Sequence, residues 1–212
     1  MLQLYGILLV GLAVSGGWAQ QMQRMCTCDE ARPCKESIFQ TIQPCADKCE
    51  RFAAEAGANY QMLRDCVLEY RPRIVETVRC SVDQLRDTCS AVPTDFQVPK
   101  RYPIGIELAF VEEIGSMLTT AGVSDQLTQF VALGRRFAHC MQECVERQTN
   151  KCAFDNVCAL NLPPDNQLVA IVKNCAIQNQ LLTTPVIQSL CECAVRSGVS
   201  ALAELCPRLI IQ

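Results

Sequence analysis

Sixteen cysteines, all of them downstream of an apolar N-terminus, constrain this chain more than any other feature. They are Cys26, Cys28, Cys34, Cys45, Cys49, Cys66, Cys80, Cys89, Cys140, Cys144, Cys152, Cys158, Cys175, Cys191, Cys193 and Cys206. An even count behind such an N-terminus reads as a disulfide framework built in an oxidising compartment. The expected end state has no free thiol. Any fold must therefore bring these residues together in pairs whose Cα atoms lie within about 7 Å.

The N-terminus has the form of a signal peptide over residues 1–19. Leu2 to Val14 carries no charged side chain, and Gly17 and Ala19 are small residues at the −3 and −1 positions of a cut after Ala19. The apolar run falls short of the roughly 20 residues that span a bilayer. No later run reaches that length, and the Leu209-Ile210-Ile211-Gln212 tail is too short for a lipid-anchor signal. The expectation is a secreted, extracellular protein without a membrane span.

Half of the 212 residues are hydrophobic, so the bridges reinforce an apolar core rather than replace one. The net charge is −3, and acidic and basic residues are mixed evenly along the chain. Nucleic acids and polyanionic sugars are thereby disfavoured as ligands held by bulk electrostatics.

Apolar periodicity is helical throughout, and alternating strand-like runs are missing. Pro44 is placed to open a helix whose face carries Cys45, Cys49, Phe52 and Ala56, with Gly57 closing it. Asn59 caps the next, with Leu63, Cys66, Val67 and Tyr70 on one face. Pro72 restarts the chain, and Val78, Val82, Leu85 and Cys89 repeat at helical spacing. Pro93, Pro99 and Pro103 with Lys100-Arg101 mark residues 92–103 as a linker. Beyond it, Ile104, Leu108, Val111, Met117 and Leu118 predict a helix stopping at Gly122. A long helix capped by Ser124 follows, with Leu127, Phe130, Val131, Gly134, Phe137, Met141 and Cys144 as its stripe. Asp165 caps another helix, and Thr184-Pro185 starts one that ends near Gly198. The reading is an all-α, disulfide-stapled helical bundle of one or two lobes: an N-terminal cysteine-rich lobe over 20–91 and a C-terminal cysteine-rich domain over 104–212. Eight cysteines fall on each side of the linker, in the same cyclic order but a shifted phase. That suggests an old duplication and predicts that no bridge crosses the linker.

Few residues offer chemistry. Cys45/Cys49 and Cys140/Cys144 sit at i, i+4, so each pair shares one helix face and makes a two-point staple on a neighbouring element. Zinc sites favour CxxC or Cys/His spacing, and the chain has one histidine, so no metal or cofactor is expected. That histidine, His139, adjoins Cys140 and reads as a partly exposed helix residue rather than a general base. Glu112 and Glu113 project about 100° apart on a helix and do not flank one substrate. Ser197-Gly198 is a weak glycosaminoglycan attachment dipeptide, equally explained by Gly198 as a helix stop.

The C-terminal third carries Cys140-x3-Cys144, Cys152, Cys158, Leu160-Asn161-Leu162-Pro163-Pro164-Asp165, Cys175-Ala176, Cys191-x-Cys193 and Cys206-Pro207-Arg208. It resembles the cysteine-rich domain of nematode chondroitin proteoglycan 4 and its relatives. The resemblance implies a secreted disulfide-rich domain of extracellular-matrix core proteins, although the chain lacks a run of acidic Ser-Gly sites. Two expectations follow. The first is a non-catalytic matrix or interaction module with an extracellular protein or matrix partner. The second is a carrier of an apolar small ligand between stapled helices. A cavity above about 300 Å³ would favour the carrier, and a filled core with an exposed apolar patch the module.

Overall fold

The computed structural model describes residues 21–155 and 158–211; the side chains of 35, 38, 39, 103 and 150–155 fall outside that description, as does the leader assigned to 1–19. The elements run β1 (Met22–Met25), α1 (Cys28–Lys48), α2 (Arg51–Glu55), α3 (Tyr60–Glu69), α4 (Arg71–Gln84), β2 (Gln97–Pro99), α5 (Pro103–Thr120), α6 (Ser124–Asp155), β3 (Cys158–Ala159), α7 (Asp165–Gln178) and α8 (Thr184–Arg196). Two 3-10 turns, Ser200–Leu202 and Cys206–Arg208, finish the described chain. The protein is a disulfide-stapled helical bundle, as its periodicity predicts.

Local signals place most boundaries. The Thr27 side chain accepts from Glu30 N at 3.2 Å, and Glu30 Oε2 accepts from Thr27 N at 2.7 Å, closing a capping box on α1. Arg24 fixes the same carboxylate with two hydrogen bonds of 2.8 and 3.1 Å. Asn59 caps α3 by accepting from Met62 N at 3.1 Å. Gly57, Gly122 and Gly198 follow helix ends with positive φ. Pro44 departs from expectation: α1 continues through both Pro33 and Pro44. An interior proline removes a helical hydrogen bond. Here Cys45 and Cys49, fully buried and bridged to α6, hold the turn in place.

The small sheet is the element the sequence concealed. β1 pairs antiparallel with β2 in the register Met22↔Pro99, Gln23↔Val98, Arg24↔Gln97. On its other edge it runs parallel to β3, with Arg24↔Cys158 and Met25↔Ala159. Strands of two to four residues are too short to show alternation. β2 falls inside the presumed linker, and Val98 is almost completely buried there. Arg101 ties the following turn to the start of α7, pairing with Asp165 Oδ1 at 3.2 Å and donating to the Leu162 and Pro163 carbonyls.

The bridges overturn the expectation of two separately closed halves. Cys26–Cys158, Cys45–Cys144, Cys49–Cys140, Cys66–Cys193 and Cys80–Cys175 all cross residues 92–103. Cys28–Cys89 and Cys191–Cys206 stay within a half. Eight cysteines per side permit self-contained closure but do not require it. The helices instead pair across the linker: α1 packs on α6, α4 on α7 and α3 on α8. The two i, i+4 pairs staple each other, because antiparallel helices offset by one turn present Cys45 to Cys144 and Cys49 to Cys140. The pairing gives no support to two closed copies from a duplication. Of the other two cysteines, Cys34 lies at 3.8 Å from the Glu30 carbonyl, and the Cys152 side chain falls outside the described residues.

The main core forms where α5 turns into α6. Val123, Leu127, Cys191, Leu205, Cys206 and Leu209 are buried together, with Leu118, Phe130 and Ile187 packed against them. Behind them, the turn after α2 meets the end of α8, where Asn59 N donates to Ser197 O at 2.7 Å. Gly198 has φ +120°, and a Cβ on it would collide with the Gly57 carbonyl oxygen, so the close approach there excludes a side chain at Gly198.

Candidate functional site

From that core, α5 and α6 diverge and leave an apolar cleft of about 760 Å³ between them. Ile106, Phe110, Val111, Ile114 and Leu118 line one wall, at helical spacing on α5. Leu127, Phe130, Val131, Gly134 and Ala138 line the other, on α6. Leu118, Leu127 and Phe130 also belong to the core contacts, so the cleft floor is the roof of the hydrophobic core. Its volume lies within the range of small-molecule sites, about 300–1,000 Å³. Phe110 and Ile114 remain 43% and 39% exposed. Large side chains that could close on each other across a helical hairpin are here held apart.

The α6 stripe read from the sequence is this cleft wall from Leu127 to Gly134. The α5 stripe is only half right: Val111 and Leu118 face the cleft, but Ile104 and Leu108 are about half exposed on other faces. Because α5 is apolar nearly all round, its periodicity could not choose a face. The signal that could have revealed the cleft is the surplus of large apolar residues on α5 over what one face buries.

Polar chemistry gathers at the end of the cleft remote from the core. Glu107 is 9% exposed, and its Oε1 accepts from Arg135 Nε at 2.8 Å. Arg135 holds the Glu107 carboxyl below the usual carboxylate range, against the opposing effect of burial. Glu107 Oε2 is buried without a hydrogen bond, with His139 Nδ1 at 3.5 Å. His139 Nε2 lies 3.3 Å from Glu143 Oε1. Glu107 and Arg135 also open on an adjoining pocket of about 460 Å³, with Arg51, Phe52, Arg136 and His139 among its walls. Phe52 is buried, and the Arg51 and Arg136 guanidinium carbons lie 4.8 and 5.0 Å from its ring centroid. Arg136 pairs with Glu55 at 2.7 Å, whereas Arg51 has no ion pair among the described residues.

His139 is thus a 55% exposed helix residue between two carboxylates. Glu112 and Glu113 diverge: Glu113 pairs with Lys173 at 2.5 Å, and Glu112 is exposed. Ser197 closes the end of α8. It is 4% exposed, and its Oγ donates to the Cys193 carbonyl at 2.8 Å. Among the described residues no cluster of His, Cys, Asp and Glu is arranged to hold a metal, and no helix is long and apolar enough to cross a membrane. Comparison of this chain with protein families, curated proteins and solved structures finds no match.

Proposed function

We propose that this protein is a secreted, non-catalytic binding protein that carries an amphiphile with its tail in the α5/α6 cleft. The observation that carries the reading is the apolar cleft itself, about 760 Å³ and continuous with the core. Disulfide richness fits the extracellular setting, and the bridges give such a site rigid walls. The staple Cys49–Cys140 lies at the cleft's polar end, in the wall of the adjoining pocket, and Cys191–Cys206 lies in the core beneath its floor. Half-exposed apolar side chains are costly in water, and an alkyl tail laid over them relieves that cost.

A fourteen-carbon tail would gain about 11 kcal/mol gross at about 0.8 kcal/mol per methylene. Association costs at least about 4 kcal/mol. The remaining ~7 kcal/mol corresponds to a Kd of about 10 μM. The test is enhancement of N-phenyl-1-naphthylamine fluorescence by the oxidised protein, and its loss in Ala138→Trp, which fills the cleft. Enhancement that survives Ala138→Trp unchanged would place the apolar site elsewhere.

A second reading rests on a separate observation. Leu108 on α5, with Val92 and Phe96 before β2, is an exposed large apolar residue, which suits a protein-contact surface. Together with the resemblance of the C-terminal third to the chondroitin proteoglycan 4 domain, this supports an extracellular-matrix interaction module. Substitution of Leu108 by Lys separates the two, since it should abolish matrix retention but leave probe fluorescence intact.

A further inference from the structure

The arrangement at the open end of the cleft assigns the ligand's polar group as well as its tail. We infer that the amphiphile has an anionic head, a carboxylate or a phosphate, seated against Arg135 and Arg51. This deepens the carrier reading and rests on it. Three arginines face two carboxylates around the adjoining pocket, and one of the three, Arg136, is already neutralised by Glu55 from outside it. Glu143 is shared with Arg147 at 3.6 Å, and Arg51 has no carboxylate partner among the described residues, so its charge is the one the pocket leaves uncompensated.

Arg135 is the hinge of the argument because it borders both spaces. Its Nε is spent on Glu107 at 2.8 Å, and its two terminal nitrogens have no partner among the described residues. A guanidinium fixed through Nε presents those two N–H edges as a ready fork for a planar or tetrahedral oxyanion. Glu107 does not compete for the ligand. Its carboxylate is 9% exposed and committed to Arg135 and His139, so it acts as the positioning residue that aims the fork. The tail then runs from Arg135 toward Leu118 and Leu127. Glu107 to Leu118 is eleven residues along α5, about 16 Å at 1.5 Å per residue, a length suited to an extended alkyl chain.

The test is competition for the cleft probe by three sixteen-carbon compounds sharing one tail: hexadecanoate, hexadecanol and hexadecylamine. Hexadecanoate should bind about tenfold tighter than the alcohol, a charge-assisted contact discounted for the 46% exposure of Arg135. Hexadecylamine should bind no better than the alcohol. The paired substitution Glu107→Gln with Arg135→Gln, which avoids stranding a buried charge, should erase the acid preference and leave hexadecanol within about threefold. Arg51→Gln alone should reduce the preference. Equal binding of all three compounds, or preference for the amine, overturns the anionic head while sparing the carrier reading. Binding of none overturns both. A preference for hexadecanoate that persists in the paired variant moves the anion site away from Arg135 and overturns the assignment. Acetate or inorganic phosphate at millimolar concentration should not displace the probe; if either does, the pocket is a simple anion site without a tail.

Discussion

Replacing Gly134 should make the protein more stable and less able to bind, two effects of opposite sign from one position. Gly134 is the eleventh residue of a 32-residue helix, and a Cβ built there meets nothing within 4 Å. Glycine in a helix interior costs about 0.8–1.0 kcal/mol relative to alanine. Gly134→Ala should therefore stabilise by about 0.5–1 kcal/mol, or raise Tm by about 1–4 °C for a chain of this size. Gly134→Leu keeps the gain in helix propensity and lays a side chain across the cleft against Phe130 and Ala138. Half-burial of leucine adds about 1 kcal/mol. Its stabilisation should thus reach about 2 kcal/mol, while affinity for an alkyl ligand falls tenfold or more. Thermal unfolding of the oxidised proteins and fluorescence titration are the assays. Destabilisation by Gly134→Ala would mean that α6 is packed at this point and the cleft is closed, and the reasoning would fail.

Other expectations concern the scaffold. Trypsin cleavage near Lys100 or Arg101 under native, non-reducing conditions should leave the fragments joined on a denaturing gel until reductant is added, because five bridges span the cut; separation without reductant would contradict the pairing. Gly198→Ala should destabilise by about 2–4 kcal/mol, combining the cost of a side chain at positive φ with a forced shift of the Gly57 carbonyl, whereas Gly115→Ala, with open space around it, should not. The Glu30 carboxyl is pulled down to about 2, chiefly by Arg24 and then by the Thr27 backbone. A lowered carboxyl stabilises at pH above its ordinary value near 4.5 and loses that contribution as pH falls toward 2. Acid titration of Glu30→Gln should accordingly show a shallower loss of stability between those limits than the parent, and parallel curves would exclude the cap as a contributor.

What the sequence disclosed and what it hid have physical reasons. Helix stops and starts marked by Asn59, Gly57, Gly122 and Gly198 were legible, because each rests on a local backbone requirement. Pro44 was misread because the rule for interior proline is local, while the pair of bridges that overrides it is not. Disulfide partners are non-local by nature, and equal cysteine counts on each side of 92–103 pointed to the wrong connectivity. One clue was present: two i, i+4 cysteine pairs can satisfy each other on antiparallel helices. The cleft wall on α6 was visible as an apolar stripe. The opposite wall was not, since α5 is apolar on more than one face. The polar end escaped altogether. Glu107, Arg135 and Arg51 carry no motif, and only the divergence of α5 from α6 brings them to one opening.

The most direct test of the central claim is photo-crosslinking with a long-chain fatty acid that carries a diazirine near its methyl end. The oxidised, full-length protein is irradiated with the probe, and labelled peptides are located by mass spectrometry. The account predicts label on the facing walls near the cleft floor, around Ile114 to Leu118 on α5 and Leu127 to Val131 on α6, competed away by hexadecanoate. Label spread over Leu108, Val92 and Phe96, or label that hexadecanoate does not displace, would show that the probe meets the outer apolar surface and that the cleft holds no ligand.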